Sequence, residues 1–150
     1  MTAATLRSAF RRATIRAVGR AHTVLYRLSR GRLAGSISGI PVLLLTTTGR
    51  RSGKQRTTPL LYFRDGDDLV VIASNGGEDR APAWWLNLHA HPGAAVTMRG
   101  EAVAVTGADA APDVHARLWR EITACFPGYA AYQRRTTRPI PVVILTRERR

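Results

Sequence analysis

Six short runs rich in Val, Ile, Leu, Ala and Thr, none long enough for a typical helix, govern what this 150-residue chain can become. They are IPVLLLTTT (40–48), the run from Thr57 to Phe63, LVVIAS (69–74), AAVTM (94–98), EAVAVTG (101–107) and IPVVILT (140–146). RDGDD (64–68) reads as the turn between the second and third runs, and Arg99 with Gly100 as the turn between the fourth and fifth. The expected fold is α+β and mainly β, a mixed, largely antiparallel sheet most economically closed as a small barrel with helices packed outside. A hydrophobic content of 45% suits one core. The single cysteine, Cys125, excludes an internal disulfide framework and points to a reducing compartment.

Helices are expected at three places. Pro82 opens AWWLNLHA, which Pro92 and Gly93 close. Ala111, Pro112 and Asp113 start a second helix with Val114, Leu118, Ile122 and Cys125 on one face, ending at Pro127 and Gly128. From Leu6 to Leu28 the apolar positions Leu6, Phe10, Ala13, Ala17, Ala21, Val24 and Leu28 step by three or four, opposite Arg12, Arg16, Arg20 and Arg27. Residues 1–34 thus read as a basic amphipathic helix and linker, and 35–150 as the barrel domain. Trp84 and Trp85 diverge by about 100 degrees on a helix, so one packs inward while the other lines a pocket. Tyr129 and Tyr132 share a face if YAAYQRR is helical.

The net charge is +13, and its placement is uneven: residues 1–64 carry 13 basic and no acidic side chains, whereas 65–150 carry 10 of each. Such an excess calls for an anionic partner. Its densest part is GRRSGKQR, where Arg50, Arg51, Lys54 and Arg56 crowd a turn bounded by Gly49 and Gly53. A P-loop is excluded, since only three residues separate the glycines and Gln55 follows Lys54. There is no G-x-G-x-x-G and no nucleophile-elbow serine. What remains is a glycine-bounded loop whose amides and cations suit a phosphate. His89 and His91 lack a third ligand segment, so no metal is expected. A Cys125–His115 dyad is disfavoured because Cys125 falls on the apolar side of its helix. Arginines at 7, 11, 12, 16 and 20 break any secretory h-region, and no run approaches membrane-span length. The expected location is cytoplasmic, with the basic helix allowing peripheral contact at the inner face of the membrane.

TTTGRRSGKQRTTPL, IASNGG, PAWWLNLHAHP and FPGYAAYQ occur in order across residues 46–133. In these four motifs the chain resembles the deazaflavin-dependent nitroreductase family. The resemblance implies a split β-barrel binding the 5-deazaflavin coenzyme F-420, whose reduced form passes a hydride to a quinone, nitroaromatic or similar electron-poor acceptor. It supplies the anion that the basic turn lacks, because F-420 carries a phosphodiester and an oligoglutamate tail. By position, Arg50, Arg51, Ser52, Gly53, Lys54, Gln55 and Arg56 surround phosphate and tail, and Thr57, Thr58, Pro59 and Leu60 continue along the coenzyme. Ala73, Ser74 and Asn75 run beside the ring, with Ala83, Trp84, Trp85, Leu86 and Asn87 completing the site. Ser74 and Tyr129 are the implied hydrogen-bonding groups for the acceptor oxygen, and Tyr132 shapes its pocket. Phe126, Leu61 and Asn75 stand where nitroimidazole-reducing members carry two tyrosines and a lysine, which counts against nitro-prodrug reduction.

Two other readings compete. The related barrel binds FMN, although four cations exceed what one phosphate needs. A non-catalytic membrane or nucleic-acid binder would also account for the charge, but the aromatics are not interleaved with the basic cluster as base-stacking platforms are, and no nucleic acid is expected.

Overall fold

The structure, a computed structural model, describes residues 36–37 and 39–149. The amphipathic segment expected at 6–28 and the division at residue 34 lie outside the described residues. The strands in chain order are β1 (Ser36–Ile37), β2 (Ile40–Thr48), β3 (Gln55–Leu61), β4 (Phe63–Asp65), β5 (Asp68–Ile72), β6 (Gly93–Met98), β7 (Glu101–Asp109) and β8 (Val142–Arg147). Three helices accompany them: α1 (Ala83–Ala90), α2 (Pro112–Cys125) and α3 (Gly128–Arg134).

Every pairing is antiparallel, in the order β1-β2-β6-β7-β8-β5-β4, with β3 on the other edge of β2. The second sequence run begins earlier than expected, at Gln55, and splits at Tyr62. Residues 55–61 pair with β2, from Thr48↔Gln55 to Val42↔Leu61, and residues 63–65 pair with β5. Tyr62 sits at the change of partner and donates its N–H to the Pro41 carbonyl at 3.1 Å. Because β2 and β5 lie at opposite ends of the path β2-β6-β7-β8-β5, this one bent strand curls the sheet round on itself as a split barrel.

Strands β5 and β8 are covered on both faces, which is why both read as unbroken apolar runs. Leu69, Val71, Ala73, Val143 and Leu145 join Leu43, Leu45, Val96 and Val105 in one core, against which α1 sets Trp84 and Leu88. Val70, Ile72 and Val142 point the other way, into a second cluster with Leu118 and Ile122 of α2, Tyr129 of α3, and Ile140. Each fully buried leucine, such as Leu43 or Leu69, contributes about 1.5–3 kcal/mol of hydrophobic stabilisation. Pro112 at the first turn and Asp113 beside it favour the start of α2. Arg117 fastens that helix to β4, donating to both carboxylate oxygens of Asp65 at 3.2 and 2.8 Å.

Cys125 keeps the helix face it was expected to share with Leu118 and Ile122 but is exposed where burial was expected. It is the last residue of α2 and, with Leu118 and Ile122, lines an open groove beside Pro41 and Tyr62 that does not cover it. No helix among the described residues is long and apolar enough to cross a membrane.

Candidate functional site

The basic turn between β2 and β3 has a fixed backbone. Gly49 N–H donates to the Lys54 carbonyl and Gly53 N–H to the Gly49 carbonyl, both at 2.8 Å. Gly53 has φ +69°, and a Cβ on Gly49 would lie 2.8 Å from the Ser52 hydroxyl, so each glycine answers a specific steric demand. The Ser52 hydroxyl accepts from the Lys54 N–H at 3.2 Å. With the loop closed on itself, the side chains of Arg50, Arg51, Lys54 and Arg56 are left outside and exposed.

Helix α1 anchors this turn through Asn87, which is only 3% exposed. Its Oδ1 accepts from the Arg50 backbone N–H at 3.1 Å and from Arg50 Nη1 at 3.3 Å. Its Nδ2 donates to Thr47 Oγ1, itself buried, at 3.1 Å. One amide thus ties the helix to β2 and aims a guanidinium. Between turn and helix lies a cleft of about 570 Å³, lined by Gly49, Arg50, Arg51, Ser52, Gln55, Arg56, Thr57, Thr58, Ala83, Trp84 and Asn87. Among the described residues no carboxylate pairs with Arg50, Arg51, Lys54 or Arg56. A cleft with unneutralised cations on one wall and the buried Trp84 on the other is built for a ligand carrying several negative charges and an apolar body.

A second group of the expected residues gathers where β5 ends. Ser74 is 8% exposed, and among the described residues its hydroxyl has no hydrogen-bond partner. Ala73, just before it, packs in the same core as Trp84. Asn75 adopts φ +46°, a conformation asparagine tolerates, and its Nδ2 holds the Arg80 carbonyl at 2.8 Å. Gly77 presses against α3 so closely that a Cβ would come within 2.6 Å of the Tyr132 carbonyl. Tyr132 and Tyr129 do share a helix face, with ring centroids 6.0 Å apart at 77°. Tyr129 is 6% exposed, edge-on to Phe126 and Phe63. Burial, and secondarily the neighbouring Tyr132, push its hydroxyl pKa far above the ordinary 10.0.

Of the expected coenzyme residues, ten line the cleft: Arg50, Arg51, Ser52, Gln55, Arg56, Thr57, Thr58, Ala83, Trp84 and Asn87. Gly53 and Lys54 complete the same turn. Pro59 and Leu60 lie farther along β3, opposite Leu44 and Leu43. Ala73, Ser74 and Asn75 form the adjoining loop and are not part of the cleft wall. Trp84 fills the inward role foreseen for one tryptophan of the pair, and Trp85 with Leu86 lies off the cleft. Trp85 donates its indole N–H to Asp109 at 2.8 Å and packs on the ring of His89, which also meets Asp109 at 3.1 Å. Among the described residues no three His, Cys, Asp or Glu side chains are grouped as a metal requires. Sequence reasoning missed Arg138, whose guanidinium binds the carbonyls of Ala73, Ser74 and Glu78. No local pattern marks it, since its partners lie about 60 residues upstream.

A family model described as F420H(2)-dependent quinone reductase matches residues 18–147. An F420H(2)-dependent quinone reductase of Mycobacterium tuberculosis is 42% identical over 132 residues, which are 85% of this chain and 89% of the relative. Among solved structures, an F420-H2 dependent reductase is similar at a TM-score of 0.63 and 33% identity, over 70% of this chain and 93% of that one. A putative pyridoxamine 5'-phosphate oxidase from Listeria innocua, 13% identical with a TM-score of 0.51 over 72% of this chain and 84% of its own, shares the fold alone. The four ordered motifs, the curled barrel and the cationic cleft agree with these findings: the chain belongs to the F420H(2)-dependent quinone reductase family.

Proposed function

We infer that this chain is an F-420-dependent oxidoreductase that reduces a quinone, holding the coenzyme's polyanionic end at the turn 49–56. The observation that carries the reading is the turn's set of four cations, unpaired with carboxylates among the described residues, three of which line a cleft closed by Trp84 and Asn87. A fully buried site would not suit a long charged tail, whereas this open turn lets such a tail run out along Arg51, Lys54 and Arg56. When bound, reduced F-420 supplies a hydride, and the quinone with one added proton becomes the hydroquinone.

The chain's own residues position and desolvate. Asn87 fixes Arg50 so that its charge is oriented before the anion arrives, which lowers the ordering cost of binding. Trp84 and Ala83 give the cleft its apolar wall. Ser74 is suited to donate to the acceptor oxygen, because a buried hydroxyl left without a protein partner is costly unless a ligand satisfies it. Tyr129, held neutral by burial, remains a proton-bearing group across the working pH range, and Tyr132 bounds the loop from the α3 side. Peripheral contact between the segment 6–28 and an anionic membrane belongs to the same proposal, supported by its arginine face and by the lipid solubility of many quinones.

The test mixes purified protein, reduced F-420 and menadione and follows cofactor oxidation by its visible absorbance. Turnover with saturable F-420 binding is expected. Absence of both overturns the reading, and a yellow protein that releases FMN on denaturation reassigns the cofactor.

A further inference from the structure

The Arg138 side chain makes four hydrogen bonds, all to main-chain carbonyls of one loop. Its Nε donates to the Glu78 carbonyl at 2.9 Å, Nη1 and Nη2 reach the Ala73 carbonyl at 3.3 and 3.2 Å, and Nη2 also reaches the Ser74 carbonyl at 2.9 Å. None of these acceptors is a carboxylate, so the cation is spent on one loop's backbone instead of an ion pair. The loop leaves β5 at Ala73, passes through Ser74 and a 3-10 turn at Asn75–Gly77, and ends at Glu78.

The clamp is itself held in place. Gln133 of α3 donates to the Arg138 carbonyl at 2.9 Å and accepts from the Ile140 N–H at 3.0 Å. The Thr136 hydroxyl accepts from the Arg138 N–H at 3.3 Å and donates to Asp79 at 2.7 Å. On the far side, Gly77 abuts the Tyr132 backbone. Loop, helix α3 and the segment 136–140 are therefore tied together, and one guanidinium holds the carbonyls on either side of the Ser74 side chain. A planar fork with donors in fixed directions holds the three carbonyls from set angles, an arrangement that a point-like, rotatable lysine ammonium does not reproduce.

We propose that Arg138 is a positioning residue: by clamping the carbonyls of Ala73, Ser74 and Glu78 it sets where the Ser74 hydroxyl, nearly buried and unpartnered among the described residues, meets the quinone oxygen. The proposal rests on the reductase reading above. Displacing a hydrogen-bond donor by a fraction of an ångström weakens transition-state stabilisation while leaving a remote phosphate site intact. Rate and coenzyme affinity therefore respond separately.

The experiment is a double-mutant cycle of Ser74→Ala, Arg138→Lys and their combination, read as kcat with menadione, F-420 affinity by equilibrium titration, and thermal unfolding. Each single substitution is expected to lower kcat about tenfold, and the double variant to lie near the singles rather than about a hundredfold below wild type. F-420 affinity falls far less than kcat in every variant, by no more than about threefold, because the charged turn at 49–56 is untouched and only the loop expected beside the ring is altered. Should Arg138→Lys fail to fold, Thr136→Val loosens only the segment that carries Arg138, and the same non-additivity with Ser74→Ala is expected. Losses that multiply, a Ser74→Ala variant at the wild-type rate, or an Arg138→Lys variant whose rate and F-420 affinity fall in parallel each overturn the proposal. A wild-type protein that neither binds F-420 nor reduces menadione overturns the reductase reading and this inference with it, whereas turnover with additive losses removes this inference alone.

Discussion

Replacing Asn87 by Leu removes the amide that joins α1, β2 and the basic turn by hydrogen bonds, while keeping the branched heavy-atom skeleton of the side chain. Three hydrogen bonds are lost: those from the Arg50 N–H, from Arg50 Nη1 and to Thr47 Oγ1. The guanidinium can turn to water, so the cost falls on the backbone N–H and on the Thr47 hydroxyl, which is 1% exposed. At about 1–3 kcal/mol for each buried group left unpaired, partly offset by the apolar replacement, the variant loses roughly 2–4 kcal/mol. For a domain of this length that lowers the unfolding midpoint by roughly 5–15 °C. Arg50 is at the same time no longer aimed, and F-420 affinity falls about tenfold, the equivalent of one charge-assisted hydrogen bond. Asn87→Asp separates the two effects: it keeps the acceptors for Arg50 but neutralises that cation, so affinity drops at least as far with a smaller loss of stability. Circular-dichroism melts and a coenzyme titration on the three proteins are the assay. A leucine variant that melts within about 2 °C of wild type and binds F-420 equally well would refute the anchoring role.

Two further outcomes follow from the loop and α3. Gly77→Ala places a Cβ 2.6 Å from the Tyr132 carbonyl at φ +78°, so neither backbone can yield cheaply; a clear drop in unfolding midpoint is expected, and an unchanged melt would show that α3 and the loop do not meet this closely. Tyr129→Phe removes a buried hydroxyl that has no partner among the described residues, so stability is expected to hold or rise while quinone turnover falls. Because burial raises the folded-state pKa of Tyr129, its stability contribution is fully present below the unfolded-state value near 10.0 and declines as pH climbs beyond it. Melts above that pH should decline less steeply in the phenylalanine variant, and identical slopes contradict the assignment.

Local pattern carried much of the fold. The prolines at 82 and 92 bracketed AWWLNLHA, and the structure places α1 at Ala83–Ala90. The basic turn stood out because its two glycines and four cations are contiguous in sequence. What local pattern lacks is the remote partner. Tyr62 lies inside an unremarkable apolar run, and its role as the point where a strand changes partner depends on β2 and β5, which are joined to it only in the closed sheet. Asn87 belongs to the residues the resemblance assigns to the coenzyme site, but its hold on Arg50 spans 37 residues and has no local sign. Arg138 looks like any arginine near a chain end until its carbonyl partners arrive from the β5 loop. Cys125 shows the opposite failure: periodicity puts it on the face of Leu118 and Ile122, but the groove on that face leaves it exposed, and local pattern carries no sign of that.

The most direct measurement compares F-420 with a deazaflavin lacking the phosphodiester and glutamate tail, in wild type and in an Arg50→Ala, Arg51→Ala, Lys54→Ala variant. If the turn holds the polyanionic end of the coenzyme, wild type prefers F-420 strongly and the variant loses that preference while binding the tail-less ring nearly as before. Equal losses for both ligands, or no loss for either, would contradict the account.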